Sequence, residues 1–267
     1  MTRKPLLKYR IDWISIALVV GVVAISLWPI FAPVHWLAWL AIAVLLMIVK
    51  PITSLVQHNH VHYPIFNARW LNTGFNWLLS VSTGHIASEW VLHHNIGHHG
   101  NAINSLTDTS SVRHPQTQEY MSKWQYIVTG SLKIYPDCCR MAWDFYQQGK
   151  KRYLINMFLE TQILLSVYAV LFAINATMTF WFLLLPNLIN RALVWLGAYW
   201  HHLEVPANSA YDSSNMYTEP FFNWISLNIG YHIAHHEKPS LHWSHLKEHT
   251  QKISDKIPEQ QILARIP

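Results

Sequence analysis

Apolar residues fill four stretches of the chain, at about residues 11–32, 34–54, 153–174 and 177–199, and polar residues dominate the blocks 57–152 and 200–267. Each stretch is close to the ~20 residues that a helix needs to cross a bilayer. Pro29 and Pro33 separate the first pair, and Asn175-Ala176 separates the second. Lys50-Pro51 ends the most apolar part of the second stretch. Extended to Val56, its helix would project past the bilayer and leave His58 just beyond it. Glu160 and Gln162 interrupt the third stretch, and Asn187, Asn190 and Arg191 the fourth. Polar residues at that depth are expected to face protein or a cavity. Between the pairs, the pattern predicts a half-buried helix over Asn72 to Trp90, a loop over Gly100 to Gln118, and a segment along the membrane surface from Lys123 to Gly149. The expected fold is an all-α integral membrane protein: one domain of four transmembrane helices with a cytosolic helical cap.

Composition agrees with a chain only partly inside lipid. Hydrophobic residues make up 51% and charged residues 12%, about half the charge of an ordinary soluble domain. The net charge of +5 follows topology more than any nucleic-acid surface. Nearly all the basic residues, Arg3, Lys4, Lys8 and Arg10 among them, sit at the N-terminus and in the two polar blocks. The short turns near 29–34 and 175–177 carry none. The positive-inside rule therefore predicts both termini and both blocks in the cytosol. The first apolar stretch is long for a signal peptide and lacks a small-residue cleavage site. Cys138 and Cys139 are adjacent, which disfavours a disulfide between them, and read as reduced thiols.

Seventeen of the eighteen histidines lie within residues 58–114 and 201–249. Three groups have ligand spacing: His58-x3-His62, His94-x3-His98-His99 and His232-x2-His235-His236. Residues at i, i+3 and i+4 share one face of a helix, and neutral imidazole is the commonest metal ligand. Eight such side chains exceed the needs of one four-coordinate zinc and suit two ions. His201-His202, at the end of the fourth stretch, offers one further ligand. His60 and His93 point off these faces and are expected to act behind the ligands. Asn95, Asn101, Asp108, Glu204, Asn228 and Glu237 are candidates for orienting the rings. His35, His85, His114 and His249 read as ordinary hydrogen-bonded core residues. An all-nitrogen set suits Zn, Cu, Fe or Ni. Its place beside apolar spans suggests oxidation of C–H bonds, which calls for iron and O2.

The three groups, in this order around the apolar stretches, resemble the membrane fatty acid desaturase superfamily, whose boxes run H-x3/4-H, H-x2/3-H-H and H/Q-x2/3-H-H. HNHVHYP and NIGYHIAHHEKPSLHW resemble bacterial members, and the resemblance covers about residues 10–250. It implies two iron ions held by His58, His62, His94, His98, His99, His232, His235 and His236, with His202, or His201 beside it, as the ninth ligand. In some desaturases an asparagine four residues before that histidine helps hold a water; here Ala198 stands there, or Gly197 if His201 is the ligand. The implied activity is O2-dependent desaturation of a fatty acyl chain in a lipid or thioester. Hydroxylases, ketolases and decarboxylases acting on fatty acids, alkanes or carotenoids share the boxes. No HPGG heme motif is present, so the resemblance implies a separate electron donor, a ferredoxin or a cytochrome b5 with its reductase. It also implies a bacterial inner membrane. A membrane metal-binding or transport protein is the alternative of another class, but it would place ligands within the spans.

Overall fold

The computed structural model describes residues 5–104 and 106–266. Arg3 and Lys4, counted in the charge reading, lie outside them. The described chain is mostly helical, and it divides into two compact units: residues up to Glu89 with Met141–Leu193, and Trp90–Arg140 with Val194 onward.

The first unit contains three helical runs long and apolar enough to cross a membrane: Arg10–Phe31, Trp36–His62 and Arg152–His202, the last ending beyond the unit. The first comprises a short 3-10 turn and helix α1 (Trp13–Phe31), and the second is helix α2 (Trp36–His62). Large apolar side chains such as Trp13, Trp28, Leu40 and Ile48 are exposed along them, as lipid-facing surfaces require. Val22, Ile42, Leu46 and Phe182 pack together inside.

The third run is not one straight helix. Asn175 has non-helical φ −155 and ψ 92, and its side-chain oxygen accepts from Met178 N at 3.1 Å. That is the geometry of an asparagine helix N-cap. Tyr168 and Asn187 flank this break and touch: Asn187 Nδ2 donates to the Tyr168 hydroxyl at 2.8 Å. Nineteen residues of straight helix would hold them roughly 28 Å apart, so the run reverses on itself. The arm before the break is the body of α6 (Arg152–Thr179), which carries Asn175 near its end; the arm after it runs through the last residues of α6 and a π-helical turn Phe180–Leu184 into α7 (Leu185–His202). The break falls where a two-residue turn was expected, but Asn175 alone leaves helical geometry.

Helix α3 (Arg69–Thr83) stops earlier than its pattern predicts. Gly84 takes φ 76 and returns its N–H to Ser80 O, a left-handed glycine end. Serines and threonines that interrupt the apolar pattern meet buried amides and a lysine here. Lys50 Nζ donates to Ser82 O at 2.7 Å and to Asn187 Oδ1 at 2.6 Å. Asn190 Nδ2 donates to Thr83 O, and Thr83 Oγ1 donates to Gln57 Oε1. Gln57 Nε2 donates to His85 O. Of the polar residues in the third apolar stretch, Glu160 accepts from Ser88 N at 2.8 Å, as a protein-facing group should. Gln162 is instead exposed on the surface of α6, because its position falls on the outer face of that helix.

After the short turn α4 (Ala87–Glu89), the second unit begins with a π-helix, Trp90–His98. It also contains most of α5 (Lys123–Gln147), the end of α7, and three short helices: α8 (Pro220–Ile225), α9 (His232–Glu237) and α10 (Leu246–Lys252). Strands β1 (Met216–Tyr217) and β2 (Ile262–Leu263) pair in parallel. Met216, Tyr231, Ile233, Leu246 and Ile253 form the core around α9. Gly130 lets α5 lie against Trp195: a Cβ there would come within 2.4 Å of the indole.

Candidate metal centre

The π-helix changes how the second histidine group works. Its bonding is i to i+5, and His99 N donates to His94 O at 2.9 Å. On an α-helix only His98 would sit squarely over His94. In the wider π turn, His98 and His99 straddle the position above it, so three rings can face one way. A π-helical stretch is rare and frequently marks a functional site. Asn101 closes this helix, with Nδ2 donating to Ile96 O and Gly97 O. His93 faces the 107–111 loop: its Nε2 lies 3.0 Å from Thr109 O, and Thr109 Oγ1 donates to His93 O. Asp108, on the same loop, places Oδ1 2.7 Å from His98 Nδ1.

The end of α7 supplies the next pair. Asn215 caps it, donating to Trp200 O and Leu203 O. His201 Nδ1 meets Asn215 O, and His202 Nδ1 meets Ser213 O, both at 3.1 Å. The third group opens α9. Leu227 and Asn228 before it have φ 55 and φ 61, and Asn228 Nδ2 donates to Trp243 O. Glu237 at its end pairs with His249 at 2.5 Å.

Within this unit the ring nitrogens gather in two sets. His94, His99 and His235 offer nitrogens within 4.8 Å of one another, and so do His98, His202 and His236. His99 Nε2 lies 3.1 Å from His94 Nε2 and 3.0 Å from His235 Nε2; His98 Nε2 lies 3.2 Å from His236 Nε2. His232 stands beside the second set, its ring centre 4.8 Å from His236 and 4.2 Å from His201.

This donor set fits metal ions. A neutral imidazole has one N–H and one lone pair, so two such nitrogens can share one N–H···N bond, but His99 Nε2 faces two nitrogens at once, an arrangement that a metal ion satisfies. Burial, then the neighbouring imidazoles, hold His232 and His236 well below the usual histidine range, so both are neutral. His232 Nδ1 is buried and has no hydrogen-bond partner among the described residues. At His98 and His202 an oxygen takes Nδ1, leaving Nε2 for a metal.

In the first unit His58 and His62 share a face of α2, their rings 5.0 Å apart. His60 points elsewhere; its Nδ1 accepts from Ile65 N, and its ring lies against Phe75. His85 is a buried, hydrogen-bonded histidine, as its sequence context predicts. It bonds Glu89, which also pairs with Arg191 at 3.3 Å. Burial would raise the Glu89 carboxyl, but Arg191 and His85 outweigh it and hold it below its ordinary range. Burial, with Arg191, holds His85 low. His35 and His114 are exposed, not core: each ring nitrogen accepts a backbone N–H two residues on.

Asn95 is half-buried on the π-helix, and Glu204 takes φ 56 in the turn after α7. Sequence reasoning did not find the Ser213 and Asn215 carbonyls, because every residue carries one. It also did not pair Glu89 with Arg191, since 102 residues separate them.

Residues 34–265 match the model of a family described as Fatty acid desaturase. No curated protein matches the chain.

Proposed function

The chain belongs to the fatty acid desaturase family, and from that premise we propose that it is a membrane-bound non-heme diiron oxidoreductase that desaturates a fatty acyl chain of a lipid or thioester. The observation that carries this is the pair of converging imidazole sets in the second unit. The net reaction would be –CH2–CH2– + O2 + 2 e− + 2 H+ giving –CH=CH– + 2 H2O.

His94, His98, His99, His202, His235 and His236 are assigned as ligands on their converging nitrogens. His232 joins them through its partnerless buried nitrogen. His58 and His62 join on their box spacing and shared face. His202 is preferred over His201 because its nitrogen converges with those of His98 and His236. Two iron ions would supply the power to activate O2 that no side chain here has. The protein's own part is to keep the imidazoles neutral, oriented and dry, and so decide which acyl carbon is attacked.

The proposed topology has four spans with both termini and both histidine-bearing blocks in the cytosol, in a bacterial inner membrane. The reversal at Asn175 supports it. So does the absence of Lys and Arg from the turns at 29–34 and 175–177. On α5, exposed Trp124, Val128 and Leu132 recur at helical spacing, which fits a helix lying on the membrane surface. Electrons would come from a separate ferredoxin or cytochrome b5 system.

The test is expression in a host, followed by mass spectrometry of its lipids. The reading expects acyl chains lighter by two hydrogens. Product that only gains oxygen would replace it with a hydroxylase or ketolase.

A further inference from the structure

The two nitrogens that back the His98–His202–His236 set are held by different chemistry. His202 Nδ1 meets the neutral carbonyl of Ser213 at 3.1 Å. His98 Nδ1 meets the carboxylate of Asp108 at 2.7 Å. His98 is 1% and Asp108 7% exposed in this contact, so water screens it little. The same Oδ1 accepts from Ser110 N at 2.8 Å, and Tyr126 donates its hydroxyl to Ser110 O at 2.9 Å. Two rungs from Thr109 to His93 fix the loop against the π-helix. Gly97 admits that approach, since a Cβ there would lie 2.5 Å from Thr109 Cγ2. The carboxylate is thus held from several sides and aimed at one ring nitrogen.

We propose that Asp108 is a positioning residue that makes His98 the most strongly donating ligand of its set, so that the metal held by His98, His202 and His236 binds more tightly and is harder to reduce. A carboxylate on Nδ1–H fixes the proton there and turns Nε2 toward the metal. Its charge also raises the basicity of the ring. A charge-assisted bond of this length is roughly twice as strong as a neutral one. The inference rests on the diiron reading and adds to it a residue that tunes one of the two metal positions.

The test uses the full chain in detergent, reconstituted with Fe(II) and challenged with a chelator. Iron per chain and reduction potential are measured alongside helical content. Asp108→Ala is expected to weaken one of two irons by about 10–100-fold. Asp108→Asn keeps an oxygen acceptor at the same place. It is expected to retain both irons and shift one reduction potential upward, because only the charge is lost. Asp108→Ala added to His202→Ala should cost no further iron, and added to His235→Ala it should cost the second iron. Irons and potentials unchanged in both Asp108 variants would overturn the inference and leave the diiron reading intact. Equal losses from both positions would also overturn it, marking a structural role only. A wild-type chain that takes up no iron pair would overturn both.

Discussion

Changing Glu89 to Gln removes one negative charge and one acceptor oxygen from a buried site. Glu89 is 2% exposed, 3.3 Å from the Arg191 guanidinium and 3.0 Å from His85 Nδ1. Glutamine has the same length and keeps one oxygen to accept from Arg191, while its NH2 takes the place of the other oxygen, so the main loss is charge. Breaking a buried ion pair from one side costs about 3–5 kcal/mol, because the partner's charge stays behind. For a protein near this size that amounts to roughly 6–20 °C in Tm. Arg191 is partly exposed, at 18%, which favours the lower half of the range. The assay is thermal loss of the helical circular-dichroism signal in detergent. Adding Arg191→Met should recover part of the loss, since the orphaned cation goes too. The pH dependence has a fixed sign. The folded Glu89 carboxyl titrates below its ordinary value of 4.5, so its contribution is full above that value and is lost as pH falls through the folded one. His85 is held below 6.5 when folded, so the unfolded chain takes up the proton first, and acid costs stability there as well. The wild type should therefore weaken progressively below pH 6.5. A Glu89→Gln shift under about 2 °C, or one that Arg191→Met worsens, would refute the reasoning.

Gly97→Ala should drive Thr109, and Asp108 with it, off the π-helix; overpacking of this kind costs about 1–3 kcal/mol, readable as a lower Tm together with iron loss. Asn175→Ala removes the cap on Met178 N–H and should cost about 0.5–2 kcal/mol in the same melt, with histidine-bound iron unchanged. Stripping the iron with a chelator should lower Tm by roughly 5–10 °C if free metal had stood near 100 times its Kd.

Much of the site was visible in the order of residues because ligand spacing is local. His58 and His62 lie on one face of α2 as four-residue spacing demands, and Asn175 makes the turn its neighbours suggested. What was not visible depends on the backbone or on distant partners. Nothing in WVLHHNIGH shows that it bonds i to i+5, and that bonding decides how His98 and His99 stand over His94. Gly84 ends α3 six residues before Trp90, although the apolar periodicity continues past it. Asp108 looked like five other candidates until the loop fold brought it to His98. Lys50 read as the edge of a span. It is buried because Ser82 and Asn187 supply two acceptors from elements far along the chain.

The pairing of metal ions by the box histidines is tested most directly by Mössbauer spectroscopy of the 57Fe-loaded full chain. The account predicts two irons per chain in a magnetically coupled pair, lost as a pair signal when His98 is changed to Ala. A mononuclear spectrum, or a spectrum that the His98→Ala change leaves as it was, would contradict it.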